Sequence, residues 1–121
     1  MQRHERAGSQ VFRREGDYWT ITYGGTTVRL RDAVGAHYLV WLLAHPNQQF
    51  AVEELLATVR GTAATHAERA RSTVSKRIRD VVRRIGVHHP TLGHRLQADI
   101  RTGASCAYVP DPGDSPTWVV A

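Results

Sequence analysis

Hydrophobic and polar positions along the chain change period twice. From Val11 to Leu30 the pattern is that of strands: VFRR, DYWTITY and TTVRL are rich in aromatic and β-branched residues, with Glu15-Gly16 and Gly24-Gly25 between them. A Gly-Gly pair between two such runs signals a tight hairpin, because primed turns need positive φ angles. Alternation in the middle run places Trp19, Ile21 and Tyr23 on one face and Tyr18, Thr20 and Thr22 on the other.

The period then becomes helical. RDAVGAHYLVWLLAHP spaces Val34, Tyr38, Trp41 or Leu42, and Ala44 or His45 at helical intervals, with Asp32 as the expected N-cap and Pro46-Asn47 as the stop. QQF follows as a very short strand. AVEELLATVR is then a short helix burying Val52, Leu55, Leu56 and Val59, closed by Gly61. Thr65-His66-Ala67-Glu68 has the capping-box pattern that opens a third helix. In it Val74, Ile78, Val81 and Ile85 form one apolar stripe, and Gly86 is the expected end.

A helix advances about 100° per residue, so Arg69, Ser72, Lys76, Arg79 and Arg83 lie opposite that stripe. Six of the sixteen basic residues of the chain fall between Ala70 and Gly86, and Asp80 is the only acid there. A solvated surface accounts for cations on a helix. A nearly one-signed face, with Ser72, Thr73 and Ser75 among the cations, fits a polyanion better. After Gly86 the pattern predicts a loop and a short helical turn from Val87 to Asp99, with Pro90 at its first position. Two short strands follow around Thr102-Gly103-Ala104-Ser105. From Pro110 onward prolines and glycine predict an extended tail, with Trp118 able to dock.

The 121 residues fit one domain of about 100–150 residues. They divide into a loose polar arm over residues 1–10, the folded domain over 11–109 and the tail over 110–121. No apolar run is long enough to span a membrane, and the N-terminal ten residues have no secretory core. One cysteine, Cys106, excludes an internal disulfide framework and fits a reducing cytoplasm. The formal charge of +5 and isoelectric point of 10.1 suit a negatively charged partner.

Little points to catalysis. Seven histidines raise a metal site, His88, His89 and His94 above all, but a structural zinc site wants four paired Cys or His ligands. With one cysteine no such set exists, and a loop histidine beside a phosphate suits these residues better. Cys106 falls on an apolar strand, which favours a buried structural thiol over a nucleophile. No phosphate-binding loop, nucleophile elbow or dinucleotide fingerprint occurs, so no enzyme, cofactor or small-molecule substrate is expected.

Strands, three helices and a closing hairpin, with the third helix basic, is the order of a winged helix-turn-helix. From Thr27 to Val109 the sequence resembles the OmpR/PhoB-type winged-helix DNA-binding domain. YLVWLLAHPNQQFAVEEL matches that family's leucine-rich first helix, turn, short strand and second helix. STVSKRIRDVVRRIG keeps the frame of its recognition helix, and Ile100, Arg101, Thr102 and Tyr108 keep that of its hairpin. The span is similar, more closely, to winged-helix segments at the C-termini of actinobacterial ATPase and TPR-containing regulators. It departs from the family pattern at Ala51, where a polar cap is usual, in the longer segment from Val87 to Asp99, and in a wing tip without arginine.

The resemblance implies an α+β fold: an N-terminal antiparallel sheet, a three-helix core and a C-terminal β-hairpin wing. It implies a bacterial transcriptional regulator binding double-stranded DNA, the third helix in the major groove and the wing on the backbone or minor groove. Ser72, Thr73, Lys76 and Arg79 are then candidates for base edges or nearby phosphates, Arg69 and Arg83 for phosphates, and Arg101 for the wing contact. A homodimer or a partner protein is compatible with the same pattern. Two alternatives stand beside this reading. One is a winged helix used as a protein-interaction adaptor, since fold does not fix function. The other is single-strand nucleic-acid binding on the aromatic rings of the N-terminal sheet.

Overall fold

A computed structural model describes residues 9–60, 67–113 and 117–120, with side chains for residues 10–59, 73–113 and 117–120. The first three runs form strands β1 (Ser9–Glu15), β2 (Tyr18–Tyr23) and β3 (Thr26–Arg31), paired antiparallel in sequence order. Gly24 and Gly25 at the β2–β3 turn have φ of 58° and 84°, the pair of positive values that a two-residue hairpin requires. The strand-like alternation is realised: Trp19 and Ile21 are buried, Tyr23 is half-buried, and Tyr18 faces outward.

The sheet has a fourth strand. β7 (Thr117–Val120) runs parallel to β1, with Ser9 opposite Thr117 and Phe12 opposite Val120. β1 thus begins inside the segment expected as a loose arm, and the expected tail carries a strand. Trp118 docks: it stacks on Tyr23, meets Phe12 edge-on, and its indole N–H donates to the Tyr108 hydroxyl at 3.2 Å.

Helices α1 (Val34–Ala44), α2 (Val52–Arg60) and α3 (Ala67–His88) follow, with strand β4 (Phe50–Ala51) before α2. α1 buries Tyr38, Leu39, Leu42 and Leu43, while Trp41 is only half-buried and Ala44 exposed. The phase centres on a Tyr38–Leu42 line. Asp32 does not cap α1. Ala33 occupies that position with no side-chain hydrogen bond, and the Asp32 carboxylate instead accepts from the Trp19 indole at 2.8 Å and from His37 at 2.9 Å. Burial pulls the Asp32 carboxyl up, but the Trp19 bond, the His37 ring and Arg14 at 3.3 Å outweigh it and hold the group below its ordinary value. At α2 the missing polar cap at Ala51 is partly made good by Glu54, whose carboxylate accepts from the Ala51 N–H at 3.2 Å. Gly61 and Thr65 lie outside the described residues.

The largest departure from expectation lies beyond α3. Gly86 does not end that helix, which runs on to His88, and Pro90–Asp99 is a full ten-residue helix, α4. Four helices therefore stand where three were expected among the described residues. His89 caps α4, its Nδ1 accepting from the Leu92 N–H at 3.3 Å, and its Nε2 lies 3.0 Å from the Tyr23 carbonyl oxygen. A carbonyl only accepts, so the proton sits on Nε2 and both ring nitrogens are used internally. α3 and α4 meet at two glycines: a Cβ on Gly93 would run into the backbone of Gly86. Gly93→Ala is therefore expected to cost about 1–3 kcal/mol through overpacking. Urea denaturation checks it, and an unchanged midpoint would mean that the helices do not cross there.

Strands β5 (Ile100–Arg101) and β6 (Ser105–Tyr108) close as a hairpin and join β4 in a small sheet of order β4-β6-β5. Among the described residues the result is an α+β fold, a mixed four-stranded sheet and a three-stranded one with four helices. The core between them holds Phe12, Ile21, Tyr38, Leu55, Ile78 and Leu92, all essentially without exposure. Among the described residues no helix is long and apolar enough to cross a membrane.

Candidate nucleic-acid interface

The azimuth of α3 is fixed by its stripe. Val74, Ile78 and Ile85 have no exposure and Val81 has 1%, so the side chains half a turn away are forced outward. Lys76, Arg79 and Arg83 are exposed there, and Arg77 and Arg84 are exposed on the flank. Thr73, in the turn before, is half-buried. Arg69 and Ser72 belong to α3, but their side chains lie outside the described residues.

Asp80 organises this face. Its carboxylate accepts from Lys76 Nζ at 2.9 Å and from Arg83 Nη1 at 3.0 Å, the spacings of four and three that a helix brings together. Those two hydrogen bonds hold the Asp80 carboxyl below its ordinary value. Both cations keep most of their donors: the Lys76 and Arg83 side chains are 68% and 70% exposed. Such exposed pairs add little stability. Their effect is to hold two long side chains upright on the outer face.

The hairpin is fastened to the same helix. Ser75 is buried, and its hydroxyl donates to the Gly103 carbonyl at 3.0 Å while accepting from the Gly103 N–H at 3.2 Å. The sequence groups Ser75 with Ser72 and Thr73 among the cations; in the fold it sits behind them as a clasp between α3 and the β5–β6 turn. Arg79 Nη1 lies 3.4 Å from Thr102 Oγ1, a long contact that sets the middle of α3 beside the hairpin base. Arg101, one residue earlier, is exposed on β5. Lys76, Arg79, Arg83 and Arg101 thus belong to elements in direct contact. Cys106 lies behind the same clasp: it is 1% exposed, opposite Phe50, and Ser75, Gly103 and Arg79 all act on its thiol. Burial pushes its thiol up, away from the thiolate form.

Sequence reasoning missed two parts of this region. Arg77 and Arg84 also reach solvent, through the flank of α3. α4 supplies His94 and Gln97 to a groove that it forms with α3; His94, expected as a loop histidine, stands on a helix. The aromatic rings of the N-terminal sheet divide between the core and the surface. Trp19 turns inward with 3% exposure, and Tyr18, at 37%, lies under Arg29 with the guanidinium 5.0 Å from the ring centre. Comparison with protein-family models, curated proteins and solved structures finds no match for the chain.

Proposed function

We propose that this protein is a winged helix-turn-helix that binds duplex DNA, α3 being its recognition helix and the β5–β6 hairpin its wing. The observation that carries the reading is the outer face of α3: exposed cations aligned opposite a fully buried stripe, on a helix hydrogen-bonded to a hairpin that carries another. Such a face answers a phosphate backbone, and a helix exposed along one side fits a major groove. The small sheet of order β4-β6-β5 packed beside three helices supports the same fold reading, with α4 as an addition between recognition helix and wing. Lys76, Arg79, Thr73 and Ser72 are assigned to base edges or adjacent phosphates, Arg69 and Arg83 to phosphates, and Arg101 to the backbone or minor groove beside the wing. The role is that of a cytoplasmic transcriptional regulator, acting by binding and not by catalysis. The adaptor alternative wants apolar side chains on this face; the face exposes cations, with Val87 near its C-terminal end as the one large exposed apolar side chain on this helix among the described residues.

The test separates reading from holding. Arg79 lies near the middle of the face, and Arg83 a turn further on, where an inserted helix rises towards the backbone. A lost bidentate base contact costs about 1–3 kcal/mol and relaxes preference at one base pair, whereas a lost phosphate contact weakens all sequences alike. With a duplex selected from random DNA by the purified protein, Arg79→Ala is expected to lower discrimination against a scrambled duplex. Arg83→Ala should weaken both duplexes by a similar factor and make the salt slope shallower by about one unit. Uniform loss in both variants would move base reading to Ser72, Thr73, the wing or DNA shape. No loss in either would make the face a solvated surface and end the proposal.

A further inference from the structure

α3 and α4 form a groove whose apolar floor the DNA reading does not use. It has a volume of about 490 Å³ and runs from the Gly86–Gly93 contact to the hairpin base at Thr102. Its floor is apolar: Ile78, Val82, Leu96 and Ile100. One rim carries Arg79 and Arg83, one helical turn apart, and the opposite rim carries His94 and Gln97 from α4. A small-molecule site has this composition, an apolar cleft of about 300–1,000 Å³ with a few convergent polar groups. We propose that the groove takes a small aromatic carboxylate, its ring on the apolar floor and its carboxylate on Arg79 and Arg83.

The charge pattern selects the ligand class. Arg79 directs Nη1 to Thr102 and Arg83 directs Nη1 to Asp80. A guanidinium has five N–H donors in a planar fork, so each retains donors for a carboxylate, which it can bind in a bidentate way. A neutral apolar molecule would leave those donors unused. A highly charged one would leave the floor uncovered. A planar ring with a single carboxylate serves both. The groove is partly open to solvent, so the expected affinity for a ligand of this size is about millimolar.

One consequence rests on the DNA reading. The same two arginines cannot serve a carboxylate and DNA together, so the ligand weakens DNA binding, and DNA weakens ligand binding by the same factor.

The probe is 1-naphthoate, titrated into the isotope-labelled full chain without DNA and followed by amide chemical shifts. Saturable shifts are expected at Gly86, Gly93, Leu96 and Ile100. The double variant Arg79→Gln/Arg83→Gln changes only exposed side chains and should weaken binding at least about tenfold. The neutral analogue 1-naphthalenemethanol should bind the native chain weaker by a similar factor. Scattered or unsaturating shifts, equal binding of the neutral analogue, or an unaffected double variant would each overturn the site. In a second arm, selected duplex is titrated with and without saturating naphthoate. If DNA affinity is unchanged while the groove fills, the competition is overturned. A groove that fills in a protein binding no duplex overturns the DNA reading and leaves the site standing.

Discussion

Affinity for duplex DNA is expected to fall by about three orders of magnitude as monovalent salt rises from about 50 to about 200 mM. Each phosphate neutralised by a lysine or arginine releases a condensed counterion, so the logarithm of affinity falls with the logarithm of salt at about 0.9 per contact. The outer face of α3 offers Lys76, Arg79 and Arg83, its flank offers Arg77 and Arg84, and the hairpin offers Arg101, all exposed. If these carry about six contacts, the slope is roughly five, and a fourfold rise in salt costs about a thousandfold in affinity. Asp80 works against this total, because it already faces two of the cations with its own negative charge. Fluorescence anisotropy with a labelled duplex at several salt concentrations gives the slope directly. A flat response, or no binding at low salt, would sink the proposal that the basic face meets DNA.

The second large effect concerns what holds that face in place. Ile78 is fully buried at the centre of the α3 stripe, so Ile78→Ala is expected to destabilise the fold by about 2–5 kcal/mol. The loss combines the transfer of a branched side chain with the cavity that its neighbours cannot fill. Lys76→Ala, two residues earlier on the same helix, removes a side chain that is 68% exposed and one ion pair with Asp80. Its cost should stay below about 1 kcal/mol, as for other exposed pairs. Chemical denaturation of both variants measures the contrast. Equal or reversed costs would mean that the helix is rotated from the orientation described, and the outward placement of Arg79 and Arg83 would fall with it.

What the sequence made legible was local and periodic. Trp19 and Ile21 turn inward because alternation in a half-buried strand leaves no other arrangement. Val74, Ile78, Val81 and Ile85 share a face because their spacing matches a helical turn, and the same arithmetic puts Lys76, Arg79 and Arg83 in solvent. What escaped depended on partners distant in sequence. α4 offers only Leu92 and Leu96 as a helical pair, and Gly93 between them argues against a helix. Gly93 is there because another helix passes too close for a side chain, which no window of sequence contains. Asp32 sits where a cap would sit, yet the Trp19 indole, thirteen residues away, claims its carboxylate. Ser75 reads as a surface residue until Gly103 is brought against it. In the candidate site the cations were therefore readable, while the clasp behind them and the groove beside them were not.

The parallel pairing of β7 with β1 bears on the order in which the fold assembles. Ser9 and Thr117 are register partners with more than a hundred residues of chain between them. β1–β2 and β2–β3 close across short turns and can form early, whereas the β1–β7 ladder must first meet the entropy of closing that long loop. Until it does, the outer edge of β1 stays unpaired, with backbone donors and acceptors open to any extended segment, including one from another molecule. Phe12 and Tyr23 meanwhile lack the Trp118 ring that packs on them once the fourth strand is in place. The sheet is thus completed last along its β1 edge, and that edge is where a slowly folding population would associate with itself.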